Sequence, residues 1–231
     1  CLIASGQAFE TTAEVAQALS ARHGVDAAMA AFAARSSQGH IGRARALATD
    51  AEARRRRQEV LRLPASLRDL SSCFAAAEEL LAMATEDASS LTNGLDMTEE
   101  ESLMRAYGAG AEGVTKTRMD KIAKAALKDL RKVQASRRKR AVRDQLDRAL
   151  VDLLTYFRDV LVLQMGAEVA LVNDEMRTQL LQEASMSSPS ETGRRLDAIE
   201  RCRLAVQANG SLPLVLESML VEVKDPLVRV R

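Results

Sequence analysis

Aromatic residues are scarce in this chain of 231 residues, which has no tryptophan, two tyrosines and four phenylalanines. Surfaces that bind single-stranded nucleic acid stack bases on aromatic rings, so the shortage argues against such a surface. Alanine, leucine, arginine and glutamate dominate instead, and their side chains lose little rotamer freedom in a helix. The composition therefore predicts an all-α protein.

Long apolar runs are also missing. The run Val160 to Leu163 is interrupted by charge far short of the roughly 20 residues that span a bilayer, so we expect no membrane segment. No charged segment followed by an apolar leader opens the chain, which favours a cytoplasmic location. The chain starts at Cys1 without a methionine, and we expect it to be a piece of a longer protein with a further domain upstream.

Cysteine and the common catalytic motifs are equally sparse. Cys1, Cys73 and Cys202 are far apart, which excludes a disulfide framework and a Cys-x-x-Cys metal site, so we expect Cys73 and Cys202 to be buried. The chain has no G-x-x-x-x-G-K-[ST], H-E-x-x-H or G-x-S-x-G motif. Neither histidine, His23 or His40, has a carboxylate or cysteine at a useful spacing. We therefore expect no catalytic residue, no metal site and no cofactor.

Residues 1–63 are predicted to form a unit of three helices. Thr11 and Glu14 have the spacing of a capping box. Asp26 is a candidate cap for the second helix, and Pro64 is expected to end the third. The second helix has a small-residue face made of Ala27, Ala30, Ala31 and Ala34. The expected helices run from Thr11 to His23, from Asp26 to Gly39 and from Ile41 to Leu63.

Residues 65–225 are predicted to form a second helical bundle. Between Thr115 and Met165 there is no proline or glycine, and apolar residues recur at three, four or seven, which predicts one very long helix or two nearly collinear ones. The glycine-rich residues 108–113 are expected to form a mobile loop. The expected helix over residues 66–91 has an apolar stripe made of Leu67, Leu70, Phe74, Ala77, Leu81 and Ala84. The other expected helices cover residues 66–91, closed by Asn93-Gly94, and then 96–107, 174–184, 190–208 and 212–223.

Charge is strongly segregated although the formal net charge is only +1. The segment Lys116–Arg143 has twelve basic residues and two acidic ones, whereas Glu78–Glu101 is acidic. The basic segment is open to two interpretations: it contacts phosphates, or it lies beside the acidic helix within one bundle. We favour the second because no aromatic residues interleave with the charges. The run Arg54–Arg57 is likewise interpreted as a polar helix face.

The opening of the third helix, Gly39-His-Ile-Gly-Arg-Ala-Arg-Ala-Leu47, resembles the start of the third lid helix in clamp-loader AAA+ proteins. Members of that family that hydrolyse ATP have Gly-x-x-Arg-x-Ala here, and Gly42 stands where their nucleotide-sensing arginine would be. In this respect the chain is similar to the delta prime subunits of bacterial DNA polymerase III, which do not hydrolyse ATP. The resemblance implies that Arg43 and Arg45 are surface or interface residues.

Two later segments extend the resemblance over about residues 12 to 223. The segment from Leu146 to Gly166 is similar to the family's collar helix, in which an aromatic residue, Arg-Asp and an apolar run lead to glycine. The segment from Ile199 to Leu220 resembles the helix pair that closes the collar. The alanine- and arginine-rich composition is similar to that of actinobacterial members. The resemblance implies a lid over residues 1–63 and a collar over 65–225 that packs in a pentameric ring. Candidate subunit-interface residues are Val151, Leu154, Val160 and Val162.

The function that this resemblance implies is assembly in DNA replication. The chain would be a non-catalytic part of the ring that loads the sliding clamp onto primed DNA, with gamma/tau and delta subunits as direct partners and clamp and DNA as indirect ones. Two alternatives stay open. The chain could be the matching piece of a gamma/tau subunit, with Arg43 as the nucleotide sensor, or a basic helical adaptor that binds nucleic acid through Lys116–Arg143.

Overall fold

The computed structural model describes residues 11–107 and 116–227, without the side chains of residues 116–121. The expected loop at residues 108–113 lies outside these ranges. The described residues form nine α-helices and one 3-10 turn and contain no strand, which confirms the all-α prediction. The helices are α1 (Thr12–His23), α2 (Ala27–Ser37), α3 (Ile41–Thr49), α4 (Ala51–Ser66), α5 (Leu70–Ala106), α6 (Lys116–Gln164), α7 (Arg177–Met186), α8 (Pro189–Gln207) and α9 (Leu212–Lys224), and the 3-10 turn is Asp174–Met176.

The first three helices pack around a small core of their own. The capping box at Thr11 is formed in both directions, and Gly24 ends α1 in the left-handed region with φ of 63°. The small-residue face expected on α2 is half correct. Ala30 and Ala34 are buried as expected, but Ala27 and Ala31 are exposed. The core consists of Val15, Leu19, Ala30, Ala33, Ala34, Ala44 and Leu47.

The third expected helix, from Ile41 to Leu63, is wrong, because this stretch forms two helices. The chain is extended at Asp50, with φ of −115° and ψ of 113°, and its carboxylate accepts a hydrogen bond from the Glu52 N–H at 2.8 Å. Asp50 therefore ends α3 and caps α4. Pro64 does not end α4 but lies inside it. A proline removes one intrahelical hydrogen bond, and α4 continues for only two residues after it.

The apolar residues of α4 belong to the larger core rather than to the first one. Val60, Leu61 and Leu63 pack with buried residues of the C-terminal helices. The two apolar cores therefore part at Asp50, whereas the sequence places the boundary between units at Pro64. The assignment of residues 1–63 and 65–225 to separate functional units stays a prediction.

Two very long helices, α5 and α6, dominate the larger part. The α6 helix is continuous over 49 residues, which confirms the single-helix form of the prediction. The expected break at Asn93-Gly94 is wrong. These two residues lie inside α5, which is 37 residues long. The helix is held there by α6, because the amide of Gln134 donates to the Asp96 carbonyl at 3.0 Å and Arg137 donates to the Asp96 carboxylate at 3.0 Å.

The larger core lies between α5, α6, α8 and α9. Phe157 is fully buried, with the Tyr156 ring edge-on at 5.2 Å and the Arg195 guanidinium 5.6 Å from its centroid. Cys73 and Cys202 are buried as expected, and burial raises the pKa of the Cys202 thiol to about 12. The other fully buried large residues are Leu61, Leu80, Leu146, Leu150, Leu153, Leu180, Ile199, Leu216, Met219 and Leu220.

The expected stripe of α5 is only partly correct. Ala77 and Ala84 are buried, but Leu70 and Phe74 are 56% and 45% exposed, and the buried residues beside them are Cys73 and Leu80. The Cys73 thiol lies 3.6 Å from the Leu220 carbonyl, so α9 determines which face of α5 is covered. The helices expected after residue 174 begin and end within a few residues of the predicted positions.

Replacing Gly94 with alanine is expected to stabilise the protein. Gly94 is inside α5, and a β-carbon there meets nothing within 4 Å, so alanine should raise the free energy of unfolding by about 1 kcal/mol. Gly24→Ala is the matched control, since its φ of 63° should make alanine destabilising by about 1 kcal/mol. Urea denaturation of both variants tests the pair. A destabilised Gly94→Ala would contradict the continuous α5.

Candidate functional site

The opening of α3 presents a glycine to solvent. His40 caps the helix, because its Nδ1 accepts a hydrogen bond from the Arg43 N–H at 3.1 Å. Gly42 is exposed on the first turn, and a β-carbon there would lie 3.3 Å from Cε1 of His40. Arg45 is also exposed, as expected. The position that resembles a nucleotide sensor thus has no side chain of its own.

Arg43, in contrast, points into the protein. Its guanidinium forms an ion pair with Asp152 of α6, and its side chain is only 14% exposed. This corrects the expectation of a surface or partner-interface residue, because the contact is within the chain. A guanidinium held by a buried carboxylate is not free to bind a phosphate group.

Asp152 is the centre of a buried charge cluster. It accepts from Arg43 and, at 3.1 Å, from Nε of Arg57 on α4. Burial raises the pKa of the Asp152 carboxyl, and the two guanidinium groups act against that rise. One carboxylate therefore joins three helices, α3, α4 and α6.

Arg57 extends the cluster to the 3-10 turn. Although it belongs to an arginine run that the sequence suggests is a polar face, Arg57 is only 4% exposed. It donates to Glu175 at 2.9 Å and to the side-chain oxygen of Asn173, and its guanidinium lies 5.6 Å from the centre of the Phe32 ring. The side chain thus contacts α2, α6 and the segment before α7.

A second buried carboxylate, Asp159, fixes that segment. Asp159 is fully buried and accepts from the N–H groups of Val172 and Asn173 at 3.1 and 2.7 Å. The Asn173 amide also donates to Asp159 at 2.9 Å and to the Thr155 hydroxyl at 3.2 Å. The segment is thereby held where Asn173 and Glu175 reach Arg57.

This buried cluster was not predicted, although the sequence contains a signal for it. Asp152, Thr155 and Asp159 recur at three and four within the apolar part of α6. Polar residues at this spacing lie on one helix face beside the apolar stripe. Because charges are rarely buried without partners, such a row predicts partners on a neighbouring element.

The other arginines of the α4 run each have a different role. Arg54 donates to the Leu47 and Ala48 carbonyls at 2.8 and 3.3 Å and so closes the end of α3. Arg56 pairs with Asp87 of α5 at 2.7 Å. Arg55 is exposed and pairs within α4, with Glu52 and with Glu59.

Two grooves flank the Arg43 ion pair. One, of 460 Å³, lies between α3 and α4 on one side and α5 and α6 on the other, with apolar walls that include Leu47, Val60 and Met83. The other, of 830 Å³, lies between the turn before α3, the middle of α6 and the turn after α8. Both are lined by His40 and Arg43.

The four candidate interface residues are not equivalent. Val160 is fully buried in the protein's own core, which corrects its assignment as an interface residue. Leu154 and Val162 are partly buried and pack against the same core. Val151 is half-buried and faces the 830 Å³ groove. Of the four, Val151 is the best placed to contact a partner.

The basic segment pairs in part with α5, as the favoured interpretation expects. Arg131 binds Glu100 at 3.0 Å, and Arg137 binds Glu99 at 2.7 Å. Arg138 lies 3.3 Å from Asp96, which Arg137 also contacts. The acidic end of α5 therefore neutralises arginines in the middle of α6.

Within residues 11–107 and 116–227, no three His, Cys, Asp or Glu side chains are grouped so as to hold a metal ion. No helix in the described part of the chain is both long and apolar enough to cross a membrane.

Comparisons with protein-family models, with curated proteins and with solved structures found no match.

Removal of the Arg57 side chain is expected to be strongly destabilising. Arg57→Ala leaves Asp152 with one buried partner fewer and should lower the free energy of unfolding by about 3 to 5 kcal/mol. The control is Arg55→Ala in the same run, which is exposed and should leave stability nearly unchanged. Equal losses in urea denaturation would contradict the buried cluster.

Acid is expected to weaken the contact between α5 and α6. The Arg137 guanidinium lowers the pKa of Glu99, and the Arg131 guanidinium lowers that of Glu100. Groups with a lowered folded-state pKa contribute stability at neutral pH and lose it as the pH falls through that pKa. Glu99→Gln/Glu100→Gln should thus be less stable than the parent at neutral pH, and the difference should vanish at low pH.

The measurement is the urea midpoint from about pH 7 to about pH 3. Glu78→Gln/Glu79→Gln is the control. Both residues are exposed on the same helix, and neither belongs to the ion pairs that Arg131 and Arg137 form with α5. A difference between parent and Glu99→Gln/Glu100→Gln that does not change with pH would refute the role of these ion pairs.

Proposed function

We propose that this chain is the lid and collar portion of a non-catalytic clamp-loader subunit, similar to delta prime, and that it acts in DNA replication. The observation that carries the proposal is the opening of α3, where Gly42 is exposed and Arg43 is held by Asp152. ATP sensing needs a guanidinium free to form charge-assisted hydrogen bonds with phosphate. The opening therefore supports a non-hydrolysing member of the family over a gamma/tau subunit.

The buried charge cluster supports a mechanical role. Arg43 and Arg57 join α3 and α4 to Asp152 on α6, and Arg35 of α2 donates to the Val172 carbonyl at 3.2 Å. Movement of the small helical unit is then passed to the long helix rather than absorbed at a hinge. In a ring of subunits, this coupling would transmit the state of one subunit to the collar contacts of its neighbours.

The third alternative, a basic adaptor that binds nucleic acid through Lys116–Arg143, has less support. Arg131, Arg137 and Arg138 are within ion-pair distance of carboxylates on α5. Each of these pairs would have to open before the arginine could release counterions from nucleic acid. The part of the segment from Arg131 to Arg138 is therefore a poor phosphate-binding surface, and primed DNA and the sliding clamp are indirect partners in the proposed clamp-loader function.

The test is assembly with purified gamma/tau and delta subunits of an actinobacterial clamp loader. We expect one copy of the full 231-residue chain in the complex, measured by native mass spectrometry. Val151→Asp should weaken assembly by about tenfold or more, because a charge is costly in a desolvated interface. Val133→Asp is the matched control, a valine on the same helix that is 55% exposed.

The outcomes separate the candidate functions. Several copies of the chain in one complex would favour the gamma/tau alternative. No association at micromolar concentration with either subunit would refute the proposal. Equal effects of Val151→Asp and Val133→Asp would remove Val151 from the interface.

A further inference from the structure

The 830 Å³ groove has a floor of arginines, and we call it the arginine groove. Arg140, Arg143 and Arg148 come from α6, where spacings of three, five and eight place them along adjoining faces of the helix. The turn before α3 and the turn after α8 form the two walls. The polar residues of the walls are Ser37, Gln38, His40, Gln207 and Asn209.

Positive charge is in excess in the arginine groove. Of its two carboxylates, Asp147 is bound by Arg203 from α8 at 3.0 Å, which leaves Asp144. Arg43 also lines the groove, but its charge is balanced by Asp152. The arginines of the floor thus share one carboxylate, Asp144, that has no ion pair within the described residues, and Arg148 also acts at longer range on Asp87 of α5, which Arg56 binds.

The hydrogen bonds of these arginines go to neutral oxygen atoms. Arg140 donates to the Ser136 carbonyl at 3.4 Å, and Arg143 donates to the Lys139 carbonyl at 3.2 Å. Arg148 donates to the side-chain oxygen of Gln145 at 3.4 Å. These are long bonds for guanidinium groups, which bind anionic oxygens at shorter distances.

Arg143 gives the most specific indication of a ligand. Its side chain is half-buried, and its Nε is buried without a hydrogen-bond partner among the described residues. A buried donor without an acceptor costs free energy, which an acceptor from outside the protein would recover. Rotation of the Arg143 side chain would bring this donor to an anionic oxygen in the groove, and such an oxygen would also balance the excess of positive charge.

The lining determines which anion fits. Arginine forks match the geometry of phosphate oxygens, and the groove has the size of a small-molecule site. It contains no tryptophan, tyrosine or phenylalanine on which a base could stack. We propose that the arginine groove binds a run of two or three phosphate groups, supplied by a nucleic-acid backbone or by a free polyphosphate. This inference does not rest on the proposed clamp-loader function.

The experiment measures binding by the chain alone. A fluorescein-labelled duplex oligonucleotide is titrated and followed by anisotropy at about 50 to about 300 mM salt, and three phosphate contacts predict a slope of about −2 to −3 in log K against log salt. Arg140→Gln/Arg143→Gln/Arg148→Gln should weaken binding by about tenfold or more and flatten the slope. Binding of inorganic tripolyphosphate by the same proteins is measured by calorimetry.

The control removes the same charge elsewhere on α6. Lys124→Gln/Lys128→Gln/Lys139→Gln changes three exposed residues outside the groove and should leave the affinity within about twofold. Circular dichroism checks the fold of each variant. If the triple arginine variant is not folded, Arg140→Gln/Arg148→Gln changes only exposed side chains and decides the question.

Each result supports or overturns the proposal. A selective loss of duplex binding identifies a nucleic-acid backbone as the ligand. A selective loss of tripolyphosphate binding, with the duplex unbound, identifies a free polyphosphate. Absence of binding to both, or an equal loss in the lysine control, overturns the arginine groove as a phosphate site.

Discussion

The buried ion pairs of Asp152 with Arg43 and Arg57 are the contacts on which the arrangement of the helices depends. A carboxylate taken out of water is costly unless charged donors surround it, and here α3 and α4 each supply one guanidinium. Apolar packing is tolerant of small displacements, whereas the hydrogen bonds between these charged groups form only at short distances and favourable angles. We therefore interpret the cluster as a contact that specifies where α3 and α4 lie on α6. Its net contribution to stability is less important than this specificity.

The same contacts limit what the opening of α3 can do. An arginine near a helix start is well placed to bind phosphate, yet Arg43 has its guanidinium on Asp152. The charge that would recognise a nucleotide is used to attach α3 to α6. Gly42 adds no side chain to replace it, and Nδ1 of His40 is occupied by the hydrogen bond from the Arg43 N–H. The start of α3 thus attaches to α6 through Arg43 instead of presenting a free guanidinium, which agrees with the non-catalytic role that we propose.

Local patterns predicted the helices wherever local chemistry decides them. The capping box at Thr11 and the glycine at position 24 fix both ends of α1, and the absence of proline and glycine fixes the length of α6.

The wrong predictions lie where residues distant in sequence determine the structure. Gly94 stays helical because Gln134 and Arg137 hold the adjacent turn of α5. Likewise, Arg57 looked like its exposed neighbour Arg55 in sequence, and only the position of Asp152, 95 residues away, distinguishes them. The resemblance to clamp loaders led to Gly42 and Arg43 but gave no reason to expect the buried cluster between them and α6.

The basic segment of α6 shows why charge in a sequence does not by itself locate a binding surface. The pairs of Arg131 with Glu100 and Arg137 with Asp96 progress in opposite directions along the two helices, so α5 and α6 are antiparallel. By the same progression, the part of α6 after residue 138 lies beside the part of α5 before residue 96, where small and neutral residues such as Ala88 and Thr92 are buried. Of the acidic residues in that part of α5, Asp87 is bound by Arg56, and Glu78, Glu79 and Glu86 are exposed. Arginines of one continuous run therefore differ in their surroundings: Arg131, Arg137 and Arg138 pair with carboxylates at the acidic end of α5, whereas Arg140 and Arg143 form no ion pair within the described residues.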